Sequence, residues 1–325
     1  MSLLKMSPSP HEKGEENTSL IMGKVLIALL PALVWACIVF GFRSLTLTLV
    51  SVAACMGFEY LFCLMMKRKS TVTDLSAAVT GVLLAFNMPV SAPLWMPVIG
   101  GFFAIVIVKC LFGGIGKNIV NPALAARVFL LTSWTSEMTA FTAPKTVISP
   151  FAVEAGVDAV TSATPLVGLK NGVLPETPIF DLFIGNMPGC IGEVSSILLL
   201  AGGVYLIFSK VITWHIPVSY IATVAALTYF LPHGAAAFDV SFMLSELFSG
   251  GIIIAAVFMA TDYATSPITP TGRIIYGIGC GLLTVFIRYF GGYPEGASFA
   301  VLIMNLFVWY LDRFTKPKVF GGDKK

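Results

Sequence analysis

The chain has 325 residues, of which 57% are hydrophobic and 11% charged, and its mean hydropathy is +0.88. Soluble domains carry about 25% charged residues, so this composition excludes a soluble protein and indicates an integral membrane protein. The net charge of +3 is too small to indicate nucleic-acid binding.

The first 20 residues are polar and charged, and they predict a short tail rather than a signal peptide. A membrane helix needs roughly 20 apolar residues, and the rest of the chain offers ten such stretches. We predict spans at about 22–42, 44–66, 73–89, 94–112, 119–134, 190–209, 214–232, 242–260, 272–290 and 297–313. The third and fifth spans are short and interrupted by proline or glycine, which predicts re-entrant or irregular ends.

The positions of Lys and Arg predict the orientation, because cytoplasmic segments of membrane proteins are enriched in these residues. With the N-terminus in the cytoplasm, 15 of the 20 Lys and Arg residues fall on the cytoplasmic side, and the reversed orientation violates the rule. The chain then divides into a cytoplasmic tail (1–20), a first helix block (21–134), an external loop (135–189), a second helix block (190–313) and a cytoplasmic C-terminal tail (314–325).

Two features recur along the chain with the same displacement. Pro89 recurs as Pro267 and Phe112-Gly-Gly recurs as Phe290-Gly-Gly, both 178 residues later. The two copies begin at the third and eighth spans, an odd number of helices apart, so they must cross the membrane in opposite directions. We therefore predict a five-plus-five inverted repeat with broken helices near the midplane.

The segment 112–123 is the first stretch with the composition of a ligand site. Its glycines, Gly113 and Gly114 among them, permit positive φ and close approach of a ligand or helix. Asn118 and Asn121 add amide donors and acceptors. Irregular backbone at membrane depth is tolerated only where it is buried or lines a cavity. Close helix packing through small residues and a cofactor or ion site are both open interpretations.

Ionisable residues inside apolar stretches are costly and indicate function by default. They are Glu59, Asp74, Arg127, Glu193, Glu246 and Asp262. Hydroxyl side chains flank Asp74 and Asp262, which predicts a path for Na⁺ at these two carboxylates, and a carboxylate can also relay protons. The alternatives are a helix N-cap for Asp74 and an interfacial polar turn for Asp262. Arg127 requires a carboxylate, carbonyl or phosphate partner.

Six scattered cysteines form no C-x-x-C pair, which argues against a four-thiolate zinc or iron–sulfur site within the chain. The loop between the helix blocks holds the more specific signal, the string from Asp158 to Leu166. Its Ser162-Ala163-Thr164-Pro165 portion predicts a turn of small residues that exposes a hydroxyl. Pro165 fixes φ near about −65° and biases the preceding threonine toward extended backbone. Taken alone, these residues indicate a surface turn.

The string Asp158–Leu166 resembles the flavinylation motif of the RnfD and NqrB family of membrane proteins, in which a threonine carries FMN through a phosphoester bond. The segment 112–123, followed by Ala-Ala-Arg127, is similar to another signature of that family. Thr73–Ala77 and Phe258–Asp262 also match in the same order, and the resemblance covers roughly residues 20–315. The short N-terminal tail favours the RnfD branch.

The resemblance implies FMN on Thr164, attached outside the cell by a flavin transferase that recognises Asp158, Ser162 and Ala163. A glycine commonly precedes the Ala-Thr pair in flavinylated proteins, and Ser162 stands here instead. Relatives can also hold a second, non-covalent flavin, riboflavin or FMN. Segment 112–123 with Arg127 is where the resemblance would place it.

The complexes of this family move electrons between reduced ferredoxin and NAD⁺, coupled to Na⁺ or H⁺ translocation. The resemblance therefore implies a multi-pass protein of the bacterial cytoplasmic (inner) membrane that is one member of such a complex. Its implied partners are an external FMN-bearing G subunit, the membrane A and E subunits, and a cytoplasmic C subunit. Two alternatives are a secondary transporter or channel, which shares the inverted-repeat architecture, and a structural scaffold without a cofactor.

Overall fold

A computed structural model describes residues 17–144, 164–175, 177–193, 195–234, 238–293 and 295–316. Within these ranges the regular secondary structure is helical, apart from one isolated β-bridge between Pro89 and Cys190. Together with the apolar helices described below, this confirms the prediction of an all-α integral membrane protein.

The helices follow one another as α1 (Thr18–Phe40), α2 (Phe42–Met65), α3 (Ser76–Phe86), α4 (Trp95–Phe102), α5 (Pro122–Ser133), α6 (Thr135–Met138), α7 (Pro165–Lys170), α8 (Ile179–Ile184), α9 (Ser196–Phe208), α10 (His215–Phe230), α11 (Val240–Phe248), α12 (Ile252–Ile254), α13 (Pro270–Phe290) and α14 (Ala297–Phe314). Helices α4 and α12 continue directly as π-helices, Phe103–Cys110 and Ala255–Met259. Single 3₁₀ turns cover Val72–Asp74 and Ile191–Glu193.

Four of the described helices, α1, α2, α13 and α14, are long and apolar enough to cross a membrane alone. Helix α11 and the α12 segment, which is α12 together with its π-helical continuation (Ile252–Met259), form a fifth span that is bent by 65°. Five shorter apolar helices occupy the remaining predicted spans, so each of the ten predicted ranges contains an apolar helix. The sharp bend lies in the eighth span, not in the third or fifth, because Gly250 there adopts φ +75° between two helical segments.

The beginnings of the two halves repeat the 178-residue displacement. Helix α1 starts at Thr18 and α9 starts at Ser196, and the side chains of Asn17 and Ser195 accept backbone N–H groups at the two helix starts. Packing is repeated as well, since α2 lies against α4 and α10 lies against α13. Corresponding helices therefore occupy corresponding places in the two halves.

The short central helices α3 and α12 run antiparallel, as inverted copies must. The first residue of α3, Ser76, lines the same cavity as Asp262, which follows the α12 segment. At the opposite ends, Asn87 and Gly251 both lie next to Arg127. Every residue of α3 is buried, whereas α1 and α2 expose large apolar side chains on their outer faces, where lipid would cover them.

Candidate functional site

A cavity of about 560 Å³ lies between α1, α3, the segment after the first Phe-Gly-Gly and the turn after α12. Its size falls within the range of about 300–1,000 Å³ that is usual for small-molecule and cofactor sites. Three residues predicted from the sequence line it, namely Asn118, Asn121 and Asp262. Its walls are largely aliphatic, and they include Val25 of α1.

A buried ion pair supports one wall of this cavity. Lys109, in the π-helix, donates to Glu59 Oε1 over 2.9 Å and to Ser76 Oγ over 2.7 Å. Thr71 donates to the same Glu59 oxygen over 2.7 Å. Lys109 also lines the cavity. Its positive charge is balanced by Glu59, and its N–H groups make it a hydrogen-bond donor in the cavity wall.

Asp262 lies in the turn beyond the last helical residue of the eighth span. Loss of solvation raises the pKa of its carboxyl group, while hydrogen bonds from the backbone of Ala264 and from the Thr265 and Asn118 side chains lower it. Thr265 Oγ1 donates to Asp262 Oδ2 over 3.3 Å. The polar turn that the sequence offered as an alternative is thus present, and it faces the cavity.

Asn121 is occupied by structural hydrogen bonds. Its side-chain oxygen accepts the backbone N–H groups of Ala123 and Leu124 and so caps α5, with Pro122 in the first turn. Its amide donates to the Met259 carbonyl over 3.1 Å, at the end of the second π-helix. Asn121 therefore joins the two halves at the cavity wall.

Two predicted positions lie beside the cavity without lining it. Gly113 (φ +116°) and Gly114 (φ +95°) end the first π-helix, since their N–H groups bond back to the carbonyls of Cys110 and Lys109. Their positive φ is the role that the sequence indicated for these glycines.

Asp74 ends a 3₁₀ turn, and the residue before α3 is Leu75, which makes no side-chain cap. The alternative of a helix N-cap for Asp74 is therefore wrong, because the 3₁₀ turn Val72–Asp74 ends before α3 begins at Ser76 and Leu75 takes the cap position. Of the two carboxylates predicted for an ion path, the cavity includes Asp262 and not Asp74.

Arg127 lies outside the cavity, next to Asn87 at the C-terminal end of α3. Its guanidinium forms an ion pair with Glu295 and donates to Asn87 Oδ1 over 2.9 Å and to Ser298 Oγ over 2.6 Å. Of the three partners that the sequence allowed, the structure supplies a carboxylate.

The threonine region, defined here as Thr164 with α7, packs against α11. Thr164 has extended backbone (φ −64°, ψ 150°) before Pro165, as predicted. The expectation of an exposed hydroxyl on a surface turn is wrong, because Thr164 is only 5% exposed. The recognition residues Asp158, Ser162 and Ala163 lie outside the described residues.

The threonine region adjoins the second Phe-Gly-Gly. Lys170 donates to the Gly291 carbonyl over 2.6 Å. A Cβ at Gly250 would lie 2.6 Å from Leu166 Cδ1 and 2.8 Å from Arg288 Nη2. Arg288 is itself paired with Glu246 at 2.5 Å. One copy of Phe-Gly-Gly therefore lies beside the cavity, and the other lies beside the threonine region.

Comparison with known proteins agrees with this architecture. The model of the NQR2, RnfD, RnfE family matches residues 5–321. The chain belongs to this family. It is 46% identical to the D subunit of the Na⁺-translocating ferredoxin:NAD⁺ oxidoreductase complex of Acetobacterium woodii, with 99% of this chain and 96% of the relative covered.

Two further relatives are similar over almost their whole length. One, at 40% identity, is the D subunit of the proton-translocating ferredoxin:NAD⁺ oxidoreductase complex of Clostridium ljungdahlii, covering 98% of this chain and 97% of the relative. The other, at 34%, is the D subunit of the ion-translocating oxidoreductase complex of Escherichia coli, covering 99% of both chains. Family membership thus rests on the whole chain and not on a single motif.

Sequence reasoning missed Lys109 and Ser76 as cavity residues. The available signal for Lys109 was a lone lysine in an apolar span three residues before Phe-Gly-Gly. For Ser76 there was only its place at the start of a short span. The cavity also includes Thr18 and Asp312 from the first and last helices, which no local pattern connects.

Proposed function

We propose that the chain is a membrane component of an ion-translocating ferredoxin:NAD⁺ oxidoreductase complex, and that it carries FMN through a phosphoester at Thr164. The motif Asp158–Leu166, in a chain of this family, is the observation that carries the proposal. Flavins supply one- and two-electron redox chemistry when bound, and the protein's part is to hold and orient them.

The cavity is the site we propose for a second, non-covalent flavin, riboflavin or FMN. Its volume and largely aliphatic walls suit a flat aromatic ring system, and polar groups at the cavity surface can hydrogen-bond to the edge of such a ring. Lys109 and Asn118 are the donors that would orient the group. Asp262 would accept a hydrogen bond from it. Arg127, paired with Glu295, is no longer needed as a ligand.

Thr164 acts in this scheme as an anchor. Its hydroxyl would attack the flavin-side phosphorus of a flavin donor that carries a diphosphate; the P–O bond to the rest of the donor breaks, the hydroxyl proton passes to a base of the transferase, and Thr164 then bears the flavin phosphate. Because Thr164 is buried in the described structure, attachment would take place before the loop packs on α11, or the loop would move to admit the flavin.

The proposed setting is the bacterial cytoplasmic membrane, with both termini cytoplasmic and the loop 135–189 external. The positive-inside distribution supports this orientation. Electrons would enter at Thr164 from the external FMN-bearing G subunit and leave toward the cavity. The membrane A and E subunits and the cytoplasmic C subunit would be the other neighbours. Relatives named for Na⁺ and for protons leave both ions as candidates.

The test is covalent flavin on the purified chain. Wild-type protein from its native host should fluoresce in a denaturing gel and carry the added mass of FMN, and Thr164→Val should abolish both signals. Thr142→Val is the matched control, because Thr142 is also a buried threonine of the predicted loop and should leave the flavin in place.

A bare Thr164 in the wild-type protein would refute the anchor. A transporter without a redox cofactor predicts colourless wild-type protein, so the same gel separates that function from the one proposed. A structural scaffold predicts that electron transfer survives in Thr164→Ala.

A further inference from the structure

A cluster of ionisable side chains lies between the cavity and the threonine region, where the turn after α3 meets the turn before α9. Cys190, Glu193 and Glu295 each place one ligand-type atom within 4.8 Å of the others. Ile191 donates its N–H to the Met88 carbonyl over 3.0 Å and so fixes this crossing of the two turns. None of the roles proposed above uses Glu193.

The Glu193 carboxyl group has one partnered oxygen and one unpartnered oxygen. Oε2 accepts the Cys190 N–H over 3.3 Å. Oε1 is buried without a hydrogen-bond partner, and the residue is 5% exposed. An ionised carboxylate with a bare buried oxygen is strongly unfavourable, so this oxygen should either bind a partner or carry a proton.

Gly189 keeps space for this carboxyl group, whereas Gly251 lies at ordinary van der Waals distance from it. A Cβ at Gly189 would lie 2.5 Å from Oε2, and a Cβ at Gly251 would lie 4.0 Å from Oε1 and 3.7 Å from Arg127 Nη1. A small cavity of about 30 Å³ adjoins the cluster at Arg127 and Glu295, and Tyr293 also lines it. That volume is sufficient for one or two water molecules.

The charges around Glu193 decide what it binds. Two carboxylates, Glu193 and Glu295, face one guanidinium, Arg127, which would leave a net charge of −1 if both carboxyl groups were ionised. The next cation, Arg288, is held by Glu246. Of the elements that pack against this turn, α3 and α12 carry no ionisable residue, and α1 carries Lys24 near its start and Cys37 in its last turns.

We propose that Glu193 is a proton-binding site, which holds one proton on Oε1 beside Glu295 and Cys190 and exchanges it, by way of Glu295, with water in the small cavity. Uptake forms the O–H bond and makes the cluster neutral. Release leaves the carboxylate and a net charge of −1. A metal cation fits less well, because Arg127 already lies among the carboxylates and a thiol faces the site.

The test uses the purified complex in lipid nanodiscs and infrared difference spectroscopy in H₂O and D₂O. At neutral pH the wild type should show the C=O stretch of a protonated carboxylic acid, and its frequency should shift in D₂O. Glu193→Gln, which has the shape of the protonated acid, should lose that band. Asp262→Asn, a control at an acid outside this cluster, should retain the Glu193 band.

Thermal unfolding provides a second readout. If folded Glu193 is protonated where the unfolded side chain is ionised, folding takes up a proton and stability must fall as pH rises. Glu193→Gln should remove this fall and melt at or above the wild-type temperature in alkaline buffer.

Equal bands and equal pH dependence in wild type and Glu193→Gln would overturn the proposal. Loss of the band on adding Na⁺ at fixed pH would overturn it in favour of a metal cation. If Glu193→Gln does not assemble, the Asp262→Asn protein decides alone, since absence of a protonated-acid band there refutes the site.

Discussion

The cavity and the threonine region differ in the space that each offers a cofactor. The cavity is an open volume of about 560 Å³ that is already shaped by side chains. In the threonine region the described chain is packed closely, and Thr164 is 5% exposed. A non-covalent ligand needs a preformed pocket to offset the entropy of binding. A covalent bond removes that requirement, so a residue proposed for attachment, such as Thr164, need not line a preformed pocket.

The surroundings of the two regions are otherwise alike. Each lies beside one copy of Phe-Gly-Gly, and each copy follows a buried cation, Lys109 in one half and Arg288 in the other. Both cations are paired with a glutamate from a neighbouring helix, at 2.9 Å and 2.5 Å. The two ion pairs are analogous but are not related by the repeat, because Lys109 corresponds to Ile287 and Glu59 to position 237 at the 178-residue displacement.

The largest effect should follow from Arg127→Ala, because Arg127 lies between the two regions. The change leaves Glu295 buried without its partner and removes the donors to Asn87 and Ser298. We expect a loss of about 3–5 kcal/mol in stability, measured by thermal unfolding of the purified complex, and loss of both flavins. Arg313→Ala, which removes only a contact over the Trp309 ring, should cost about 1 kcal/mol or less. Equal melting of the two variants would contradict a bridging role for Arg127.

Gly250→Ala tests the threonine region alone. Alanine at φ +75° is strained by about 1–2 kcal/mol, and its Cβ would also press on Leu166 and Arg288 at 2.6 and 2.8 Å, which adds about 1–3 kcal/mol. Gly41→Ala has a similar φ of +79° with nothing within 4 Å, so it should show the backbone strain only. We expect lower flavin attachment at Thr164 in Gly250→Ala and normal attachment in Gly41→Ala, by in-gel fluorescence.

The sequence predicted the ten apolar segments, their order and the repeat, because these depend on composition and local periodicity. It also predicted the positive-φ glycines and the extended backbone at Thr164. The cavity could not be predicted, since its walls come from helices far apart in the chain. The partners of Arg127 and Lys109 also could not be predicted, because the sequence shows that a carboxylate lies in an apolar stretch but does not show which cation it pairs with. The bend at Gly250 was missed although Ser249-Gly-Gly is a visible break.

Filling the cavity tests the other region. Val25→Trp places a large ring among the lining residues, whereas Val34→Trp lies on the same helix at a position that is 51% exposed. We expect Val25→Trp to lower non-covalent flavin content at least about tenfold, or ~1.4 kcal/mol of binding free energy, with covalent flavin unchanged. Flavin released by denaturation and covalent flavin in the gel give the two readouts. Equal loss of both flavins in Val25→Trp would show that the regions are not independent.

The smallest effects should come from the helix caps, where two asparagines differ in the hydrogen bonds that they form. Asn121 caps α5 and also donates to the Met259 carbonyl in the buried cavity wall, so Asn121→Ala should cost about 1–2 kcal/mol. Asn17 caps α1 at an exposed position, and Asn17→Ala should cost about 0.5 kcal/mol. Asn121→Ser retains the cap and loses the amide donor, so its melting temperature should fall between those of Asn121→Ala and the wild type. If Asn121→Ser instead melted like Asn121→Ala, the link to Met259 would account for the whole effect.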